Sequence, residues 1–142
     1  MPAPLILVVD DNEVHRFACR VALERAGFTV ATAEDGRAAL ALIHRHPPDA
    51  VVLDLNMPVL DGWQTARALA LDPRTAGLRV IAHTAEPVRD PVRLRQAGFC
   101  AFADKMIGTR RLVELVRRVL ASEASDSLWV ETPPPDVSAL SA

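Results

Sequence analysis

The sequence predicts a single α/β domain: an open parallel sheet of five strands in the order 2-1-3-4-5, with five helices covering both faces. Three observations carry this. Short apolar runs recur along the chain and alternate with segments whose apolar residues fall at helical spacing. One run, Val51-Val52-Leu53, is apolar and β-branched, as in a strand buried on both faces. The 142 residues, half of them hydrophobic, suit one core. Parallel strands joined through helices require right-handed crossovers.

The first strand is Leu5-Ile6-Leu7-Val8-Val9, ending in Asp10-Asp11. Asp11 or Asn12 caps the helix that follows. Val14, Phe17, Ala18, Val21, Ala22 and Leu23 give it an apolar face, and Gly27 ends it in a left-handed cap. Phe28 to Ala33 alternates as the second strand. Asp35 caps a helix over 36–45 with Ala39, Leu40 and Ile43 inward, and His46-Pro47-Pro48-Asp49 turns into the third strand at Val51. Asp61-Gly62 opens a helix to about Leu71, stopped by Asp72-Pro73. Leu78 to His83 form the fourth strand. Pro87 and Pro91 keep the next helix from starting before Asp90, and Gly98 ends it. Phe99 to Ala103 form the fifth strand. Thr109 caps the last helix, which buries Leu112, Val113, Leu115, Val116, Val119 and Leu120. From Ser122 the composition shifts to Ser, Glu, Asp and Pro133-Pro134-Pro135. The expected organisation is one domain over 1–121 and a flexible tail over 122–142.

A formal net charge of −2 gives no pull toward nucleic acid or an anionic membrane. No apolar run is long enough to span a bilayer. Met1-Pro2-Ala3-Pro4 lacks the marks of a signal peptide, so a cytoplasmic location is expected. Cys19 and Cys100 have no metal-like spacing and suit buried hydrophobes. Arginines spread along the helices read as solvated faces. His15 reads as a helix-surface histidine near the acids, His83 as a packed or rim histidine, and Trp63 as packing on the third helix. Trp129, alone in a polar segment, suits docking onto a surface.

The chemistry lies at the strand ends. An acid after a strand is usually a turn or cap residue. Here, however, the first strand delivers Asp10 and Asp11, the third Asp54, the fourth Thr84 and the fifth Asp104-Lys105. In the order 2-1-3-4-5 these ends share one edge, around the switch point where open α/β sheets hold ligands. Three converging carboxylates repel unless a cation intervenes, and oxygen ligands without His or Cys favour a hard ion such as Mg²⁺. Acids, a cation, a hydroxyl and an ammonium together suit a phosphoryl group. The metal and Lys105 would neutralise its oxygens and Thr84 would donate a hydrogen bond. Asp54 would be the nucleophile, forming an aspartyl phosphate. Lys105 is the only lysine, and the other 15 basic residues are arginines. A compact ammonium at this position is not freely replaced by a guanidinium fork.

Val9-Asp10-Asp11-Asn12, Asp54-Leu55-Asn56-Met57-Pro58 with Asp61-Gly62, His83-Thr84-Ala85, and Ala97-Gly98 with Lys105 seven residues on are weak signals singly. In this order they resemble the receiver domain of bacterial two-component response regulators, over about Leu5 to Leu120. The resemblance implies a flavodoxin-like fold and a stand-alone, chemotaxis-type single-domain regulator. By it, Asp54 accepts phosphate from a histidine kinase or histidine phosphotransfer protein. Asp10, Asp11, Asp54 and the backbone carbonyl of Asn56 hold Mg²⁺. Thr84 and Lys105 contact the phosphoryl group, and Thr84 and Phe102 form the switch. Asn56 and Glu86 tune hydrolysis. The switched state then binds a downstream protein target, with no nucleic acid or membrane partner, and the chain is expected as a monomer or weak dimer. It is not an enzyme beyond its own phosphorylation and dephosphorylation. The alternatives are a relay intermediate or the receiver module of a hybrid histidine kinase. An aspartate-nucleophile phosphatase needs a second acid where Asn56 stands. A dinucleotide enzyme needs a Gly-rich turn after the first strand.

Three departures matter. The family's proline after the lysine is Met106 here. A cis bond before a residue other than proline costs roughly 2.5–4 kcal/mol, so a trans bond is expected, with Gly108 giving the loop its slack. The segment after Thr84 carries two prolines. No tyrosine is present, so the switch ring is a phenylalanine, expected to turn inward on phosphorylation.

Overall fold

The computed structural model describes residues 2–86, 90–122 and 129–131. Strand β1 (Leu5–Val9) lies between β2 (Thr29–Ala33) and β3 (Ala50–Leu53). Beyond β3 come β4 (Arg79–Thr84), β5 (Ala101–Asp104) and a short β6 (Trp129–Glu131). Every pair is parallel. Five helices connect them: α1 (Glu13–Arg25), α2 (Gly36–Arg45), α3 (Gly62–Leu71), α4 (Pro91–Gln96) and α5 (Thr109–Ala121).

The two-residue period of a strand sends alternate side chains to opposite faces. Leu7 and Val9, with Val51, Leu53 and Phe102, pack under Ile43 of α2, Leu69 of α3 and Leu94 of α4. Ile6 and Val8, with Val52 and Ile81, pack under Leu23 of α1 and Leu112, Leu115 and Val116 of α5. Both faces are therefore dry, which is why the strand runs lack a polar side. Burying one such side chain is worth about 1.5–3 kcal/mol.

Local chemistry fixes where each helix starts. The side chains of Asn12, Asp35 and Asp90 accept backbone N–H groups at the starts of α1, α2 and α4. Asp61 and Gln64 form a reciprocal capping box on α3. Gly27 and Gly98 adopt the left-handed conformation after α1 and α4, with φ of 99° and 102°.

Several boundaries differ from the sequence reading: β2 starts at Thr29 and not Phe28, and β3 at Ala50 and not Val51. β4 is displaced one residue, to Arg79–Thr84. β5 starts at Ala101 because the Phe99 N–H still closes α4 by donating to the Leu94 carbonyl. Phe99 packs edge-on against Trp63, ring centroids 5.8 Å apart, the packing role expected for that tryptophan. Thr109 does not cap α5. Gly108 does, at φ 82°, with no side-chain cap bond, and Thr109 is the first helical residue. Finally, residues 129–131 of the expected tail pair with β5, Ala101 opposite Trp129. An uncovered β5 edge would leave unpaired backbone groups, and these three residues meet them. A three-residue run among polar and Pro-rich neighbours is too short to read as a strand. The expectation for Pro87 falls outside the described residues.

Candidate functional site

Register brings the acids together. Val9 pairs with Leu53, and Leu53 with Ala82, so the next residues leave the sheet side by side. The ladder extends one step further: the Asp54 N–H donates to the Val9 carbonyl at 2.9 Å and the Asp10 N–H to the Ala33 carbonyl at 3.1 Å. One carboxylate oxygen each from Asp10, Asp11 and Asp54 lie within 4.8 Å of one another. Asp10 and Asp54 are buried, whereas Asp11 is exposed.

Asp10 and Asp54 have matched surroundings. Asp10 Oδ1 accepts the Asn12 N–H at 2.9 Å, and Asp54 Oδ1 accepts the Asn56 N–H at 3.1 Å. Their Oδ2 atoms both face Lys105 Nζ, at 2.9 Å and 3.2 Å. The ammonium approaches Asp10 Oδ2 as an ion pair but not along a hydrogen-bond direction, so that buried oxygen keeps no aligned donor. Burial raises the Asp54 carboxyl above its usual range, and the nearby Asp10 charge adds to this. The Asn56 N–H and Lys105 oppose the shift without cancelling it. Burial alone would lower Lys105, but the close carboxylates of Asp10 and then Asp54 outweigh this and raise it. One ammonium thus serves two buried carboxylates with a third beside them. Three acids against one fixed cation, all-oxygen donors and an unaligned buried acceptor fit a hard divalent ion.

The other expected residues fall around this centre. Thr84 is buried at the end of β4, opposite Asp104, and its hydroxyl oxygen accepts the Glu86 N–H at 3.3 Å. Asn56 and Glu86 are exposed at the rim. Phe102 is placed as expected on β5, but its ring is already fully buried. A ring with no hydroxyl leaves no polar atom unpartnered inside. His83 is buried, and burial and then the Lys105 charge pull its imidazole down to about 4. No cis peptide occurs among the described residues, so the 105–106 bond is trans as expected. A 3-10 turn over Lys105–Ile107, capped by Asp104, carries the lysine to the acids.

Several contacts were not legible in the sequence. Arg16 Nη1 donates to the Asp10 carbonyl at 2.7 Å, tying α1 to the end of β1. His15 is exposed, as expected, yet its Nδ1 lies 3.5 Å from Lys105 Nζ. After Pro58, the Leu60 N–H donates back to the Pro58 carbonyl at 2.8 Å across Val59, whose φ is 70°. This is a γ-turn at a β-branched residue, a strained arrangement next to the site.

Fold and strand-end cluster together define a CheY-like flavodoxin fold. The chain belongs to the response regulator receiver domain family, whose description matches residues 6–117. It is 40% identical over 132 residues to Response regulator MprA of Mycobacterium sp. (strain KMS), covering 86% of this chain and 54% of that protein. The chain therefore spans about half the length of that relative. It is 30% identical over 116 residues to Polar-differentiation response regulator DivK of Brucella anthropi, covering 81% of this chain and 94% of that one. Among solved structures, Vibrio cholerae chemotaxis protein CheY4 aligns with TM-score 0.78 and 27% identity, over 82% of this chain and 98% of CheY4. A response regulator from Chloroflexus aurantiacus aligns with TM-score 0.79 and 27% identity, over 84% and 99%.

Proposed function

We propose that this receiver domain is a phosphorylation switch in which Asp54 accepts a phosphoryl group from a histidine kinase or histidine phosphotransfer protein. The observation that carries this is the single ammonium of Lys105 held between Asp10 and Asp54, with the Thr84 hydroxyl at the neighbouring strand end. An Asp54 carboxylate oxygen attacks phosphorus, the P–N bond of the phosphohistidine breaks, and the leaving imidazole nitrogen keeps the electron pair and takes a proton. Lys105 pairs with one transferred oxygen and Thr84 turns its O–H to another. Asp10, Asp11, Asp54 and the Asn56 carbonyl would hold Mg²⁺, which offsets the charge of the acids and the phosphoryl oxygens. Asn56 and Glu86, exposed at the rim, stand where water must arrive for hydrolysis.

The switched protein acts by binding a downstream protein in the cytoplasm. Acting alone is the first reading, supported by the coverage of nearly all of DivK. Service as the receiver module of a longer protein is the second, supported by the half-length match to MprA. No helix among the described residues is long and apolar enough to cross a membrane. Intact-mass measurement after incubation with acetyl phosphate and Mg²⁺ tests the reading. One phosphoryl group should be added, and it should be lost in Asp54→Ala and with chelator. Undiminished labelling of Asp54→Ala would refute it.

A further inference from the structure

The Lys105 ammonium has three N–H donors. Two of its neighbours are the Oδ2 atoms of Asp10 and Asp54, at 2.9 and 3.2 Å. A further polar neighbour is His15 Nδ1, at 3.5 Å. His15 sits in the first turn of α1, where its own N–H donates to the capping Asn12 side chain at 3.1 Å. The cap that starts the helix therefore also fixes the residue facing the ammonium. His15, Cys19, His83, Lys105 and Thr109 line a small cavity of about 70 Å³ beside the acids.

We propose that His15 is a positioning residue for Lys105: its ring accepts an ammonium N–H at Nδ1. This rests on Asp54 being the phosphoacceptor. The need for it follows from the chemistry. When Asp54 becomes an acyl phosphate, the ammonium must leave its carboxylate contact and meet a phosphoryl oxygen. A four-carbon stem freed from Asp54 gains many rotamers that hold it away from the phosphate. An acceptor on α1 that is unchanged by the reaction keeps Nζ near the phosphorus throughout. The Asp10 contact alone leaves the head free to swing.

Two measurements test this. In the first, phosphorylation rates by acetyl phosphate are compared in a double-mutant cycle. His15→Ala should slow labelling about three- to tenfold, the range of one modest hydrogen bond to a charge. His15→Asn, which keeps an acceptor where Nδ1 stands, should stay within about twofold. In a Lys105→Ala background the His15 substitution should have no effect. A rate unchanged by His15→Ala, or slowed equally in both backgrounds, overturns the proposal. The second measurement needs no phosphorylation. Lys105 is the sole lysine, so its acylation by acetic anhydride is read from one peptide. His15→Ala should speed it about threefold or more, because an ammonium that loses an acceptor is more often the free amine. An unchanged acylation rate overturns the proposal and leaves the phosphoacceptor reading standing. If the unaltered chain takes up no phosphoryl group, both fall.

Discussion

Lys105 and Asp54 show how far single residues could be read from the sequence. Both stood out by residue type and position: the sole lysine, and the acid closing the Val51-Val52-Leu53 run. Strand register places Asp54, and the turn after β5 brings Lys105 to within 3.2 Å of it. His15 stood out only as a surface histidine near the acids, and Arg16 not at all, because a helix-surface residue announces its partner only once the helix is docked. His83 was legible as packed but not as a titrating group. Its imidazole, at about 4 in the fold, returns to about 6.5 in the unfolded chain. Between these values the unfolded chain binds the extra proton. Stability from this group is therefore complete above about pH 6.5 and is lost as pH falls through the window, by at most about 1.4 kcal/mol per pH unit. Urea denaturation across that window should show this slope, and His83→Gln should flatten it. An equal slope in both proteins would mean that other groups set it.

At the scale of elements, the loop from β3 to α3 does the positioning. Strand type, the Asp61 cap and the α3 boundaries were legible because they depend on neighbours in the chain. The close approach of α3 to the site was not, because it depends on what Gly62 lacks. A Cβ on Gly62 would overlap the Asp54 carbonyl oxygen and lie 2.7 Å from Leu55 Cα, both backbone atoms that cannot swing aside. Gly62→Ala should therefore cost about 3 kcal/mol and slow phosphorylation as well, by pushing the Asp54 backbone. Gly77→Ala, where an added Cβ meets nothing within 4 Å, serves as the control. It should be neutral or slightly stabilising. Equal costs at both positions would show that the α3 approach is not tight. The boundaries of β5 and α5 were misread for a similar reason: Phe99 closes α4 through a backbone bond, and Gly108 replaces a side-chain cap.

At the scale of the whole molecule, the sheet order was legible because alternating strands and helices admit few topologies. β6 was not, since pairing of so short a run is decided by an available edge. Thr84 and Phe102 lie on adjacent strands at that side of the sheet, and Lys105 directly follows the second of them. Phosphorylation should therefore change amide exchange around Thr84, α4 and the Phe102–Lys105 stretch. Changes confined to α1 and α2 would place the response elsewhere. The central claim concerns one atom group, the Asp54 carboxylate, and it can be read directly. Borohydride reduces an aspartyl phosphate to homoserine, which peptide mass spectrometry locates in the chain. After treatment with acetyl phosphate and Mg²⁺, homoserine should appear at position 54 alone. Homoserine at 10 or 11, or none in a protein whose mass shows a phosphoryl group, would contradict the account.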